Sequence, residues 1–250
     1  MSRAESAPTV LGRPHRHFRA TDSTNARAKE LAAAGAPGGL VVTAHEQSAG
    51  RGRQGRSWFG PPGSSLLYSA LLRPFDGNPL LPLGVALAVC EAAEAVAPVR
   101  CRLKWPNDVW IDERKVAGIL IEARPEDGWA VVGVGLNVAV APEDFPPELR
   151  GAATSLVPME VASERPAEAA PTVDSVRTAL NAALGRWVAA SDDEVLGAFR
   201  ARDALSGRRV SWDGGEGTAE AIDERGHLVV ATDDGERAVL GAGEVHLALD

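Results

Sequence analysis

The sequence predicts an α+β protein, a mixed sheet packed with helices, followed by a small β-barrel-like appendage. Successive strand-like runs joined by loops and turns, with helices between some of them, make the sheet mixed or antiparallel. From Gly207 the pattern changes to short runs separated by Gly and Asp turns, which marks the appendage. An apolar content of 45% against 24% charged residues is the balance of an ordinary globular chain, and 250 residues suffice for one large domain and a small one.

Residues 1–20 contain Pro8, Pro14, His15 and His17 with no apolar period, and read as a tail. Asp22-Ser23-Thr24-Asn25 offers N-cap residues, and Gly35 with Pro37 supplies the stop, so a helix is expected over 24–34. A strand follows at 40–44, another at 65–72 before Pro74, and an Ala-rich buried helix at 82–96. Strands are expected at 102–105, 116–123 and 129–138. A polar stretch joins the first pair and the turn Pro125-Glu126-Asp127-Gly128 the second. Residues 158–172, rich in Pro, Ala and Glu, read as a mobile surface connection before helices at 173–190 and 192–204. Short strands near 209–213, 217–223, 227–232, 236–240 and 244–248 complete the chain. The expected organisation is a tail over 1–20, a principal domain over 21–204 and a small domain over 205–250.

No run approaches the ~18 apolar residues of a membrane span, and the start has no apolar signal region, so a cytoplasmic protein is expected. Cys90 and Cys101 stand in apolar surroundings without metal-ligand spacing, which favours buried thiols over a disulfide. A formal charge of −8 opposes binding to a phosphate backbone. From Ser211 onward ten acidic residues face only Arg225 and Arg237, so that end is a poor nucleic-acid surface. Arg51, Arg53 and Arg56 form a local basic cluster, more a socket for one small anion than a track for a polymer.

Three lysines stand against twenty-three arginines, and two of the three, Lys104 and Lys115, flank one polar stretch. An ammonium is a compact point charge and a guanidinium a planar fork, so a site that needs the first cannot drift to the second. Gly50-Arg51-Gly52-Arg53-Gln54-Gly55 matches G-x-G-x-x-G after a strand, but Arg56-Ser57-Trp58-Phe59-Gly60-Pro61 cannot open the helix that a dinucleotide site needs. No Gly-Lys-Ser/Thr sequence follows, which excludes a Walker-type loop. The glycines permit close backbone approach while the guanidiniums surround carboxylate or phosphate oxygens, so the loop reads as an anion clamp that orders over its ligand.

Five blocks resemble the biotin protein ligases, in that family's order and with similar spacing. They are Asp22-Ser23-Thr24-Asn25; Gln47 to Arg56 with Trp58; Lys104-Trp105-Pro106-Asn107-Asp108; Arg114 to Glu122; and Gly133-Val134-Gly135-Leu136-Asn137. The resemblance implies the class II synthetase-like fold of biotin and lipoate ligases with a C-terminal SH3-like domain. It further implies a two-step reaction dependent on ATP and Mg²⁺. Biotin would be activated as biotinyl-5′-AMP, and the acyl group passed to one lysine of a biotin carboxyl carrier protein domain.

By the same resemblance Ser23, Thr24, Asn25 and Gln47 would contact the biotin head. Gly50, Arg51, Gly52 and Arg53 would form the ligand loop, with Arg56 extending its field and Trp58 covering the adenine. Lys115 would be the catalytic cation between the biotin carboxyl and the α-phosphate, aided by Arg51 and Arg53, while Lys104 would hold the pyrophosphate side. Asn107 and Asp108 would position nucleotide or Mg²⁺, whose ligands are otherwise unassigned. Gly118, Gly133 and Gly135 would let the ligand lie close to backbone, and Asn137 would contact the adenylate. Gln54 departs from the family, where an arginine is frequent. The twenty-one residues before Asp22 leave no room for the DNA-binding domain that some members carry, so a monofunctional ligase, monomeric or weakly dimeric, is expected. The rivals are a lipoate or octanoate ligase or transferase of the same fold, and a noncatalytic biotin sensor. A transferase needs a cysteine nucleophile, and Cys90 has no cation nearby to activate it.

Overall fold

The computed structural model describes residues 10–157, 170–241, 243 and 245–247. Seven strands form the principal sheet: β1 (His15–Thr21), β2 (Val41–Gln47), β3 (Ser65–Leu72), β4 (Arg102–Lys104), β5 (Asp108–Ile111), β6 (Arg114–Arg124) and β7 (Trp129–Asn137). Their order across the sheet is β1-β2-β3-β7-β6-β5-β4, antiparallel throughout except for the parallel pair β1–β2. The α-helices among the described residues are α1 (Thr24–Ala33) and α2 (Leu81–Val96), which lie between strands of this sheet, and α3 (Val173–Ala189) and α4 (Asp192–Arg202), which follow β7.

Strand period decides what each face does. Along β3, Leu66, Tyr68, Ala70 and Leu72 enter the large core with α2 and α3, while Leu71 packs under α1. Along β7, Ala130, Val132, Val134 and Leu136 enter the large core. Trp129 and Val131, pointing the other way, pack under α1, and Gly133, Gly135 and Asn137 continue that face beyond the helix. The sheet is thus covered on one side along its length and on the other only in part. The uncovered part is the site.

The helices follow their sequence signals. Thr172 and Ser175 form a reciprocal capping box on α3, and Ser191 with Glu194 does the same on α4. Pro82 sits in the first turn of α2, whose interior positions are almost all buried because it lies between sheet and α3. The second sheet contains β8 (Arg209–Trp212), β9 (Gly215–Ile222), β10 (Leu228–Thr232), β11 (Arg237–Leu240) and β12 (Val245–Leu247), in the order β11-β10-β9-β8-β12. Its inner residues Val210, Ala219, Ile222, Leu228, Val230 and Val245 join the large core, so the small domain is packed onto the first.

Two expectations require correction. The supposed tail contains β1, whose His15 to Thr21 pair in parallel with Val41 to Gln47. The polar stretch between β4 and β6 contains β5, which closes a two-residue turn onto β6 through Asp112 and Glu113, at φ 49° and 60°. Positive φ at both positions matches the right-handed strand twist and makes a tight hairpin without glycine. Of the expected connection over 158–172, residues 158–169 lie outside the described residues.

Candidate active site

A cavity of about 370 Å³ opens over the uncovered face of β3, β7 and β6. Every site residue nominated from sequence lines it except Gly50. Gly50 acts from behind: its carbonyl accepts from Trp58 N–H at 3.0 Å, and a Cβ there would lie 2.6 Å from Trp58 O.

One end of the cavity is polar and uncharged. Gln47, at the end of β2, receives at Oε1 both the Thr24 N–H, at 2.7 Å, and the Thr24 hydroxyl, at 3.0 Å. The first turn of α1 is therefore capped from across the sheet, while Ser23, the N-cap residue, makes no side-chain capping bond of its own. Asn25 lies directly over Gly133, where a Cβ would stand 2.2 Å from Asn25 Oδ1. Ser69 on β3, fully buried, places its hydroxyl oxygen 2.6 Å from Asn25 Oδ1 and 2.9 Å from Thr24 Oγ1. Asn25 Nδ2 donates to Leu120 O and to Glu122 Oε2, at 3.2 and 3.0 Å.

The floor is bare backbone. Gly118 and Gly135 face each other across β6 and β7, and the Trp58 indole rests on both. A Cβ at Gly135 would meet Trp58 Cε2 at 2.4 Å, and one at Gly118 would meet Cζ3 at 3.0 Å. Trp58 Nε1 is buried and has no hydrogen-bond partner among the described residues, a donor suited to a ligand oxygen.

The other end is cationic. Lys115 reaches the site because β6 carries an extra residue opposite β5: Val109 pairs with Ala117 but Trp110 with Lys115. Strict alternation would put Lys115 on the core side with Ala117; the bulge returns it to the face of Gly118. Its backbone is further pinned by Lys115 N–Ala152 O at 2.8 Å and Thr154 N–Lys115 O at 2.9 Å. The ammonium contacts Asp108 Oδ1 at 2.7 Å and stands 5.8 Å from the Trp58 ring centre. Lys104 lies 5.3 Å from the Trp110 ring centre.

The arginine loop folds on itself beside this end. Gly52 N bonds Arg56 O at 2.6 Å, Arg51 bridges Ser57, and Gln54 (φ 53°) and Gly55 (φ 75°) make the reversal. Arg53 Nη1 donates to Asn107 Oδ1 at 3.0 Å, and Asn107 Nδ2 donates toward Ile119 O and Asp108, so loop and hairpin meet at Asn107. Asn137 is committed at both ends of its amide: it donates to Thr154 O at 3.0 Å and accepts from Ser65 at 3.3 Å, which holds the 152–156 segment to β7.

Several contributors were not nominated from sequence. Ser69 and Glu122 organise the polar end, and Phe145, Leu149, Gly243 and Val245 complete the wall. Trp105 was read only as part of a motif; buried, it donates from Nε1 to Gly226 O at 2.9 Å and ties the lysine stretch to the small domain. Cys90 and Cys101 are buried in the core and off the cavity wall. Burial, then the neighbouring Cys101 thiol, pushes the Cys90 thiol well above its ordinary value, the wrong direction for a nucleophile.

A sheet face with a polar pocket, a glycine floor and a cationic rim is built for a ligand with an uncharged head and an anionic end. The pattern of the biotin/lipoate A/B protein ligase family matches residues 17–138, and that of the biotin protein ligase C-terminal domain matches residues 206–247. The biotin–acetyl-CoA-carboxylase ligase of Mycobacterium tuberculosis is 37% identical over 239 residues, covering 90% of this chain and 85% of that protein. The bifunctional ligase/repressor BirA of Bacillus subtilis is 39% identical over 153 residues, or 59% of this chain and 47% of that protein; the match thus spans about half of that relative. The biotin protein ligase of Aquifex aeolicus in complex with biotin and ATP superposes with a TM-score of 0.79 at 27% identity, covering 94% of this chain and 99% of that one. The chain belongs to the biotin protein ligase family.

Proposed function

We propose that this protein is an ATP-dependent biotin ligase that forms biotinyl-5′-AMP and transfers the biotinyl group to a lysine of a biotin carboxyl carrier domain. The observation that carries this reading is Lys115, turned by a β-bulge onto the site face within reach of Asp108 and opposite the arginine loop. In the first step a carboxylate oxygen bonds the α-phosphorus and the bond to pyrophosphate breaks. In the second, a lysine amine bonds the acyl carbon, loses a proton and releases AMP.

Two anions must approach, so the protein's task is to hold charge and geometry. Ser23, Thr24, Asn25 and Gln47 take the uncharged head, and the floor at Gly118, Gly133 and Gly135 brings peptide groups against the ligand. Arg51, Arg53 and Arg56 surround oxygens, with Lys115 between carboxylate and α-phosphate and Lys104 toward the pyrophosphate. Trp58 and Asn137 stand where the adenylate would lie. No group of three or more His, Cys, Asp or Glu among the described residues is arranged to hold a metal. Mg²⁺ would arrive with the nucleotide, touching Asp108 and Asn107, as expected for an ion bound chiefly through phosphates and water; it would offset phosphate charge.

No helix among the described residues is long and apolar enough to cross a membrane. We assign the enzyme to the cytoplasm, as a monomer or weak homodimer that does not bind nucleic acid. The deciding experiment is biotin-dependent exchange of labelled pyrophosphate into ATP without carrier protein, comparing biotin with lipoate. Exchange with biotin alone supports the ligase, exchange with lipoate makes it a lipoate enzyme, and biotin binding without exchange makes it a sensor.

A further inference from the structure

Lys29 is the one lysine outside the flanked stretch, and the roles assigned above leave it unused. From α1 it reaches across to β6 and bonds Glu122 Oε1. The pair is only about one-third exposed, at 30% and 28%, and it lies outside the cavity wall. The other carboxylate oxygen, Oε2, accepts from Asn25 Nδ2, so a continuous chain runs inward: Lys29, Glu122, Asn25, Ser69, Thr24, Gln47.

The direction of that chain follows from hydrogen counting. An ionised carboxylate only accepts, so Asn25 must present its NH₂ to Glu122 and its Oδ1 to Ser69. Ser69 has one hydroxyl proton and must give it to Asn25 Oδ1, the shorter of its two contacts at 2.6 Å. Its contact with Thr24 must then be one in which Ser69 accepts, or one shared without a proton. In either case the Thr24 oxygen receives no proton from Ser69 and keeps its lone pairs for whatever enters the cavity. Leu120 O, which also accepts from Asn25 Nδ2 at 3.2 Å, favours the same amide orientation, and the charge on Glu122 strengthens it; a neutral side chain at 122 would weaken that hold on Asn25.

We propose that Lys29 and Glu122 are positioning residues that fix the hydrogen-bond polarity of the pocket's uncharged end and so select the acyl donor's polar head. The inference deepens the biotin-ligase reading and rests on it. The charge on Glu122 reinforces the polarity that Leu120 O also favours, and Lys29 is the counter-ion that keeps that charge in a part-buried position.

The test is calorimetric titration of biotin, together with KM for biotin and for ATP in pyrophosphate exchange, in wild type, Glu122→Gln, Lys29→Met and Lys29→Arg, with melting temperatures recorded alongside. Glu122→Gln and Lys29→Met should each weaken biotin binding by at least about tenfold, the scale of one charge-assisted hydrogen bond. They should change the KM for ATP and kcat by less than about twofold, the mark of lost ground-state binding. Lys29→Arg should restore the biotin affinity. Unchanged biotin affinity in both variants, or a parallel rise in both KM values with a lower melting temperature, overturns the relay while leaving the ligase intact. A wild type that neither binds biotin nor exchanges pyrophosphate overturns the ligase reading first and the relay with it.

Discussion

The lysine hairpin is tied to its surroundings on several sides, whereas the arginine loop is tied mainly to itself. Around the hairpin, Ala204 N bonds Leu103 O at 2.8 Å, Arg102 reaches Asp203 O at 2.5 Å, Trp105 reaches Gly226 O, and Arg208 pairs with Glu113. The 152–154 segment then clamps Lys115 from the far side. The loop has backbone bonds within residues 50–58, and Arg53 ties it outward to Asn107. On the proposed mechanism, the charge that would sit at one point is mounted on the sheet, and the charges that would surround several oxygens are mounted on a reversal shaped by Gln54 and Gly55.

The sharpest break in that comparison is Lys115→Ala. Biotin-dependent exchange should fall by about 100-fold or more, the cost of removing one fixed transition-state donor, while far-ultraviolet circular dichroism is unchanged; a loss under about tenfold would move the central role to the arginines.

Trp105→Phe tests whether the hairpin needs the small domain. Losing the indole N–H leaves Gly226 O unpaired at a packed junction, so urea unfolding should show a loss of about 1–3 kcal/mol. The KM for ATP should rise with it. Lower stability with an unchanged KM would mean that the tie is structural only.

For the loop, Arg53→Ala should raise the KM values by about tenfold and alter stability by less than about 0.5 kcal/mol, because few contacts depend on the side chain. Arg53→Lys should fail to restore them, since a point charge lacks the fork.

The smallest effect is expected at the junction behind the hairpin, where Glu94 accepts from Arg202 and from Cys101 N–H. Burial opposes its ionisation, but the hydrogen bonds from Arg202 and Cys101 prevail and hold the carboxyl below its ordinary 4.5. A depressed folded value means that the stabilisation is full above pH 4.5 and is lost as pH falls through the folded value. Urea midpoints should therefore decline more steeply below about pH 4.5 in wild type than in Glu94→Gln.

Sequence showed most of the fold where punctuation was strong. Asp22 to Asn25 with Gly35 bounded α1, and Gly and Asp turns marked the small domain. It hid β1, because that strand is mostly exposed and reads as alternating His and Arg with no apolar face. β5 was hidden because its Asp108 and Trp110 belong to a motif that reads as loop chemistry, and its turn uses Asp112 and Glu113 instead of glycine. Much of the cavity wall comes from the motif blocks, because their residue types stand out in sequence. Ser69 escaped because a serine within a strand has no local signature, and Glu122, though it ends a motif block, was assigned no role; only the pairing of β3, β7 and β6 brings them to Asn25. The bulge that aims Lys115 is equally invisible in one strand, being a property of two.

The floor at Gly118 and Gly135 also says something about how such a cleft can change over time. Peptide planes are common to every sequence, so a surface made of them cannot be retuned by substitution; adding even a methyl there collides with the indole above. On the ligase reading, any new preference for acyl donor would have to be acquired from the walls, through α1, β2 and the loop, while the platform beneath stays the same.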